Sequence, residues 1–136
     1  MDIRAFTESD APEVIALWTA VFGYNTPHND PATAIRKKLA FQRELFFVAA
    51  EDGKVVGTII GGYDGHRGWI YSLAVDSRFR RRGIGRSLVQ HLERILSNRG
   101  CPKINLQVLA GNAEVTNFYE KLGYKVEPRI SMGRIL

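Results

Sequence analysis

The sequence predicts an α/β (α+β) protein with a mixed central sheet of about seven strands and helices on both faces. Apolar stretches of strand length alternate with stretches in which apolar residues recur every three to four positions, as in a helix. Short turns such as Asp52-Gly53 separate some of the strands, which favours antiparallel hairpins. The predicted order is β-α-α-β-β-β-α-β-α-β-β, and residues 1–136 are predicted to form a single domain.

The first third of the chain is predicted to form one strand and two helices. Pro12 suits an early helical position behind a polar cap, and the proline after Asp30 marks the start of a second helix. Ile35 and Leu39 give this second helix an inner face. In order, the predicted elements are a strand over 2–6, a helix from Pro12 to Phe22, a loop over 23–29 and a helix that begins at Asp30-Pro31.

The rest of the chain is predicted to alternate strands with two helices. Strands separated by tight turns should pair antiparallel, whereas the strands that flank the longer helix should run parallel, because a crossover joins them. Gly100 and Gly123 are placed to end the two helices. The predicted strands cover 45–50, 55–63, 69–75 and 103–109, with final strands over 124–126 and 130–136. One helix is predicted from 83 to about 98. The other is capped by Asn112 and buries Val115, Phe118, Tyr119 and Leu122.

Composition limits the class of protein and its compartment. Hydrophobic residues make up 45% of the chain and charged residues 24%, which is ordinary for a globular protein. No apolar run approaches the roughly 20 residues that span a bilayer, and the N-terminus lacks the apolar core of a signal peptide. We therefore predict a cytoplasmic protein with no membrane partner. The single cysteine, Cys101, excludes an intrachain disulfide, and three scattered histidines give no metal-ligand spacing, so no metal is predicted.

The most informative stretch is Arg80-Arg81-Arg82-Gly83-Ile84-Gly85-Arg86, which lies between a predicted strand and a predicted helix. The first turn of a helix has free backbone N–H groups and the positive end of the helix dipole. Gly83 and Gly85 lack a Cβ, so a phosphate can approach their backbone closely. The arginines add charge that suits phosphate oxygens. The stretch predicts a phosphate-bearing ligand, and the alternative is that the two glycines only permit a tight turn.

Two motifs resemble those of the GNAT N-acetyltransferase family. The first runs from Leu73-Ala74-Val75 at a strand end to Arg80-x-x-Gly83-x-Gly85 at a helix start, which is similar to the acetyl-CoA signature of the family. The second is Asn112-x-x-Val115-x-x-Phe118-Tyr119-Glu120-Lys121-Leu122-Gly123-Tyr124, with Val115 where the family usually has alanine. The element order matches too, so the resemblance covers essentially the whole chain. Residues 62–68 also resemble a subgroup of small bacterial members typified by YpeA.

The resemblance implies a GNAT-like fold and an N-acetyltransferase that uses acetyl-CoA. The acceptor would be a primary amine (a small amine, an amino acid, or a peptide or protein amine) that attacks directly in a ternary complex. The family binds the pyrophosphate on main-chain N–H groups, here those of residues 81–86, and lays the pantetheine arm along the strand that ends at Val75. The implied cofactor-binding residues are Leu73, Ala74, Val75, Arg80, Arg81, Arg82, Gly83, Ile84, Gly85, Arg86 and Asn112.

The second motif carries the implied catalytic residue, Tyr119. In the family, a tyrosine at this position donates a proton or a hydrogen bond to the leaving thiolate, which a positioned phenol is able to do. Its helical spacing alone would make Tyr119 a core residue. Asn112 caps its helix by local rules, and the resemblance adds a contact with CoA. The general base is not identified, because the strands predicted over 69–75 and 103–109 carry no acidic residue.

Two other functions stay open on the sequence alone. A non-catalytic acyl-CoA-binding or regulatory module would use the same scaffold. A nucleic-acid binder would explain the net charge of +5. However, the five arginines clustered between Arg78 and Arg86 lie in one tight loop and no nucleic-acid-binding signature accompanies them, so we predict no nucleic-acid partner. The resemblance implies a monomer or a homodimer.

Overall fold

The computed structural model describes residues 1–23 and 26–136, so the middle of the loop predicted over 23–29 lies outside the described residues. The chain divides into two compact units, residues 1–106 and 107–136, and each is described by itself. The first unit contains β1 (Asp2–Ala5), α1 (Ala11–Phe22), α2 (Pro31–Ala40), β2 (Phe46–Glu51), β3 (Lys54–Tyr63), β4 (Gly68–Val75), α3 (Ile84–Asn98) and β5 (Ile104–Asn105). The second unit contains α4 (Ala113–Lys121).

The five strands lie side by side in chain order, β1-β2-β3-β4-β5. The pairs formed by the first four strands are antiparallel, whereas β4 and β5 run parallel. This is the arrangement expected when tight turns join the middle strands and α3 provides a crossover between the last two. The predicted mixed sheet and its strand directions are confirmed for these elements.

Helices cover both faces of this sheet. Ile60 of β3 belongs to a buried cluster with Trp18 of α1 and Ile35 of α2. A Cβ added to Gly61, the next residue, would instead meet the side chain of Leu92 in α3. Because successive strand residues point to opposite faces, α1 and α2 lie on one face and α3 lies on the other. The prediction of helices on both faces is confirmed within this unit.

A partly buried ion pair joins β1 to the start of α1. The two terminal guanidinium nitrogens of Arg4 donate to the two carboxylate oxygens of Asp10 at 2.8 and 2.9 Å. Asp10 is buried, and its carboxylate also accepts the backbone N–H of Thr7. These hydrogen bonds, that from Arg4 above all, hold the pKa of Asp10 below its usual range. The ion pair therefore links the first strand to the start of the first helix, and both carboxylate oxygens of Asp10 accept hydrogen bonds.

Side chains replace a strand partner at the end of β3. Because β2 begins only at Phe46, the last residues of β3 extend past it. The side-chain amide of Gln42 donates to the carbonyl of Tyr63 at 2.7 Å and accepts its N–H at 2.9 Å. The Lys38 ammonium donates to the carbonyl of Gly61 at 2.6 Å. These bonds satisfy backbone groups that would otherwise form an open edge.

A β-bulge interrupts β4. The register pairs Thr58 with Ala74 and Ile60 with Tyr71, so β4 uses three residue steps where β3 uses two. Ser72 lies inside this interval and has a φ of 50°, in the left-handed region that few non-glycine residues adopt. A bulge bends its strand and increases the local twist. The last residues of β4 therefore run in a different direction from its first residues.

The fifth strand is shorter than predicted. It covers Ile104–Asn105 rather than 103–109 and pairs only with Gly68 and Trp69, ahead of the bulge. The bend that the bulge introduces accounts for this early end, because parallel pairing requires the two strands to keep a common direction.

The sheet has five strands, fewer than the predicted seven. Residues 124–126 and 130–136 form no strand in the structure. Their side chains favour strands, but a strand also needs a neighbour for its backbone hydrogen bonds, which no local pattern supplies. Ile130, which was expected to lie in a sheet, is 91% exposed.

In the second unit, α4 is capped as predicted. The side-chain oxygen of Asn112 accepts the N–H of Val115 at 3.2 Å. Tyr119 is 7% exposed, and its ring makes edge-on contacts with the rings of Phe118 and Tyr124. The aromatic rings thus form the packed face of this short helix.

Candidate functional site

The loop between β4 and α3 is a series of tight turns. The carboxylate of Asp76, the residue after β4, accepts the N–H of Arg78 at 2.9 Å and begins a 3-10 turn over Ser77–Phe79. Arg81 then has a φ of 64° and Gly83 a φ of 79°. A left-handed arginine is uncommon and costs on the order of 1 kcal/mol. Two left-handed residues so close together turn the chain abruptly into the helix.

The first turn of α3 presents unpaired main-chain donors. Gly83 precedes the helix and has no side chain to cap it. The N–H of Ser87 bonds to the carbonyl of Gly83 at 3.0 Å, so the N–H groups of Ile84, Gly85 and Arg86, one turn earlier, have no helical carbonyl to bond. The space beside Gly83 is open, since an added Cβ would meet nothing within 4 Å. This turn is suited to bind an anion.

The first residue of α3 holds this turn against the sheet. Ile84 is buried, and a Cβ added to Gly57 of β3 would lie 3.1 Å from its Cγ2 atom. The same Cβ would lie 3.2 Å from the backbone carbonyl oxygen of Ala74 in β4. The bare glycine therefore allows α3 to start close to the end of β4.

One arginine of the loop is engaged by a carboxylate. The Nη2 atom of Arg78 donates to Asp76 at 2.8 Å, and its Nε atom donates to the same side chain at 3.2 Å. Together with the backbone N–H of Arg78, these bonds lower the pKa of Asp76 to about 2. Arg78 thus supports the turn and has its charge compensated.

The neighbouring arginines form no ion pair with a carboxylate of the described residues, although the charge of Arg80 also helps to lower the pKa of Asp76. The guanidinium of Arg82 lies over the ring of Phe79, with 4.9 Å between its Cζ atom and the ring centroid. The Nε atom of Arg80 makes a long contact, 3.4 Å, with the carbonyl oxygen of Val75. Arg81 of the loop and Arg86 in the first turn of α3 are also exposed. Several exposed arginines thus adjoin, in the chain, the unpaired N–H groups at the start of α3.

Val75 ends β4 with its backbone groups turned away from β3. The N–H of Asp76 donates to the carbonyl of Val56 at 2.8 Å, and bonded residue pairs alternate along an antiparallel ladder. Ala74, opposite Thr58, is therefore bonded to β3, and the N–H and carbonyl of Val75 point to the β5 side. Within the described residues of the first unit, β5 pairs only with the start of β4, so this edge is open.

Leu73 and Ala74, the other two strand residues predicted to bind the cofactor, have packing roles. Leu73 follows the bulge and is half-buried, whereas the Ala74 side chain is buried in the cluster formed with α1 and α2. Neither β4 nor β5 carries an acidic side chain, as the sequence indicates.

The two predicted site residues of the second unit lie on or beside α4. Burial raises the pKa of Tyr119, so its hydroxyl stays protonated at neutral pH and is able to donate a hydrogen bond. Asn112 uses its side-chain oxygen to cap the helix and is otherwise exposed. Its amide nitrogen is thus left for another partner.

Sequence reasoning missed the residues that hold the bulge of β4. The hydroxyl of Thr58 donates to the carbonyl of Ser72 at 2.9 Å and accepts the indole N–H of Trp18 at 2.8 Å. Thr58 is fully buried. The only sequence signal for it is a single polar residue inside the apolar stretch over 55–60, and the bulge itself has no local signal.

Among the described residues, no group of three or more histidine, cysteine, aspartate or glutamate side chains is placed to hold a metal ion. In the same part of the chain, no helix has the length and apolar character needed to cross a bilayer.

Comparison with known proteins gives consistent matches. Residues 11–124 match the profile of the acetyltransferase (GNAT) family. An acetyltransferase of Yersinia enterocolitica is 46% identical over 136 residues, which are 100% of this chain and 96% of that protein. The crystal structure of Ard1 from Thermoplasma volcanium has a TM-score of 0.79 at 29% identity and covers 93% of this chain and 83% of that one.

A further solved structure shares the fold at lower identity. It is AAC(6')-Iy in complex with a bisubstrate analogue, CoA-S-monomethyl-acetylneamine, with a TM-score of 0.80, 18% identity and coverage of 99% of this chain and 97% of that one. The family profile spans most of the chain, and the Yersinia relative spans all of it. This chain therefore belongs to the GNAT acetyltransferase family and is an acyltransferase.

Proposed function

We propose that the protein transfers the acetyl group of acetyl-CoA to a primary amine by direct attack in a ternary complex. The observation that carries this proposal is the first turn of α3, where unpaired N–H groups lie beside an open glycine. Four exposed arginines adjoin this turn in the chain. Such a turn accommodates a diphosphate, the most highly charged part of CoA close to its reactive arm.

In this proposal the residues over 81–86 bind the pyrophosphate through their main-chain N–H groups. Gly83 allows the phosphate oxygens to approach, because no Cβ occupies the open space there. Arg80, Arg82 and Arg86 add charge and form no ion pair with a carboxylate of the described residues, although Arg80 lies near Asp76. Arg78, in contrast, is paired with Asp76. Arg78 therefore has a structural role in the loop.

The open edge of β4 is the proposed partner of the pantetheine arm, which resembles a short peptide. Val75 is the residue whose N–H and carbonyl face that edge, so it is the strongest candidate for these bonds. Its N–H would also stabilise the negative charge that develops on the thioester oxygen when the amine attacks. Leu73 and Ala74 then contribute chiefly by fixing the strand.

Tyr119 is the proposed acid. The reaction forms a bond between the amine nitrogen and the carbonyl carbon and breaks the carbon–sulfur bond, so the amine loses a proton and the thiolate gains one. The Tyr119 hydroxyl is protonated at neutral pH, since burial raises its pKa above the already high ordinary value, and it is able to donate a hydrogen bond to the sulfur. Water is the proposed acceptor of the amine proton, since β4 and β5 carry no carboxylate. Asn112 is proposed to contact CoA through its amide.

The test is the release of free thiol from acetyl-CoA in the presence of a panel of primary amines, with mass analysis of the acetylated product. The panel should include small amines, amino acids, peptides with free N-termini and lysine-containing proteins. Thiol release that depends on one amine class would support the proposal and name the acceptor. Tight acetyl-CoA binding without release for any amine would instead favour a non-catalytic acyl-CoA-binding module.

A further inference from the structure

The bulge of β4 is held by a chain of two buried hydrogen bonds. The indole N–H of Trp18 in α1 donates to the hydroxyl of Thr58 in β3 at 2.8 Å. That hydroxyl donates in turn to the carbonyl of Ser72 in β4 at 2.9 Å. Trp18 and Thr58 are both fully buried, so water cannot replace either partner without opening the core.

Ser72 needs this support because its conformation is unfavourable. Its φ of 50° lies in the left-handed region, which costs a non-glycine residue on the order of 1 kcal/mol or more. A bulge also leaves one residue outside the regular ladder of hydrogen bonds. The hydroxyl of Thr58 supplies a donor for the carbonyl of that residue, so the bulge is stable where a flat strand would otherwise form.

The bulge decides which backbone groups face the open edge of β4. Its extra residue shifts the register, so Val75 directs its N–H away from β3 while Ala74 bonds to β3. A strand has a period of two, so the loss of one extra residue would exchange these orientations. The N–H of Val75 would then point into the sheet and could not meet a ligand on the other side.

We propose that Thr58, oriented by Trp18, is a positioning residue that fixes the register of β4 and thereby aims the N–H of Val75 at the reacting thioester. This inference rests on the proposed function. It adds a residue that does not touch the ligand and that no sequence motif marked. The hydroxyl of Thr58, rather than its bulk, is the part that acts.

The test compares Thr58→Val, which keeps the shape and removes the hydroxyl, with Thr58→Ser, which keeps the hydroxyl. We expect Thr58→Val to lower kcat at least ~10-fold while the KM for acetyl-CoA changes less than ~3-fold, because loss of an oxyanion donor acts on the transition state. Thr58→Ser should restore kcat to within ~3-fold of the wild type even though it loses a buried methyl group. Hydrogen exchange at the Val75 amide should slow in Thr58→Val alone, because its N–H would then point into the sheet.

The control for stability is Val48→Ala, at a fully buried position of β2 in the same cluster. It should lower the free energy of unfolding by about 1–3 kcal/mol and leave kcat unchanged. If Thr58→Val does not fold, Trp18→Phe replaces it. It removes the indole donor to Thr58 together with part of a buried ring, so kcat should fall ~3-fold or more, and the Val48→Ala control accounts for the loss of core packing.

Each outcome has a distinct meaning. Wild-type kcat in Thr58→Val or in Trp18→Phe, or an equal loss of kcat in Val48→Ala, would reject the positioning role while the proposed function stands. Failure of the wild-type protein to release thiol with any amine would reject the proposed function and this role with it.

Discussion

Gly57 of β3 and Ile84 of α3 are so close that a Cβ on the glycine would lie 3.1 Å from the Cγ2 atom of the isoleucine. Ile84 is the first residue of its helix and is buried. The contact therefore sets the place at which the unpaired N–H groups of the first turn meet the end of β4. A residue with no side chain, in a strand remote from the loop in sequence, thus determines the geometry of the proposed phosphate site.

Gly57→Ala is expected to weaken acetyl-CoA binding. The new Cβ is also 3.2 Å from the backbone carbonyl oxygen of Ala74, which is part of a strand and cannot give way easily. The start of α3 must move instead, and we expect the Kd for acetyl-CoA, measured by calorimetry, to rise ~5-fold or more, with a loss of stability of about 1–3 kcal/mol.

Gly61→Ala is the matched control on the same strand and helix. Its Cβ would meet the flexible end of Leu92, further along α3, so stability should fall while the affinity for acetyl-CoA stays within ~2-fold of the wild type. Equal losses of affinity in the two variants would show that the start of α3 has no special role.

Gly83→Glu is expected to abolish acetyl-CoA binding. Gly83 has a left-handed φ of 79°, and a glutamate there would place bulk and negative charge where the phosphate is proposed to bind. Gly100→Glu provides the comparison, because Gly100 follows the other end of the same helix with a φ of 83° and equally open space. Both variants carry the same backbone strain and charge. Calorimetry should give a Kd at least ~100-fold higher for Gly83→Glu only, and similar affinities would contradict the assignment.

The contrast between the loop and the bulge explains how much of the site is predictable from the sequence. The turn at Gly83 depends on glycine conformation and on the start of a helical pattern, which are local properties. The bulge at Ser72 depends on hydrogen bonds from Thr58, a residue of another strand, and local propensity does not contain that information. The same limit applies to 130–136, where β-favouring residues were expected to form a strand that the structure does not contain.

Tyr119→Phe is expected to lower kcat by ~10-fold to ~1,000-fold while the affinity for acetyl-CoA stays within ~3-fold. The substitution removes only the hydroxyl, so the edge-on contacts with Phe118 and Tyr124 remain. Because burial raises the pKa of Tyr119, the hydroxyl stays protonated through about pH 9, and the wild-type rate should show no loss from its ionisation in that range. Tyr63→Phe removes an equivalent hydroxyl from β3 and should leave kcat unchanged. An unaltered kcat in Tyr119→Phe would exclude the acid role.

Asp10→Asn is expected to lower the free energy of unfolding and to make that free energy fall less steeply as the pH is lowered. The folded-state pKa of Asp10 is lowered, chiefly by hydrogen bonds from Arg4, so the ion pair contributes fully above about pH 4 and its contribution is lost as the pH falls through the folded-state pKa. The variant keeps the shape but loses the charge, and the free energy of unfolding at pH 7 should fall by about 1–3 kcal/mol. Urea unfolding between about pH 6 and pH 3 should then show a smaller decline with acid in the variant than in the wild type. Asp52→Asn, at an exposed turn position, should follow the wild-type curve. Parallel curves for Asp10→Asn and the wild type would show that the Arg4–Asp10 pair does not link stability to pH.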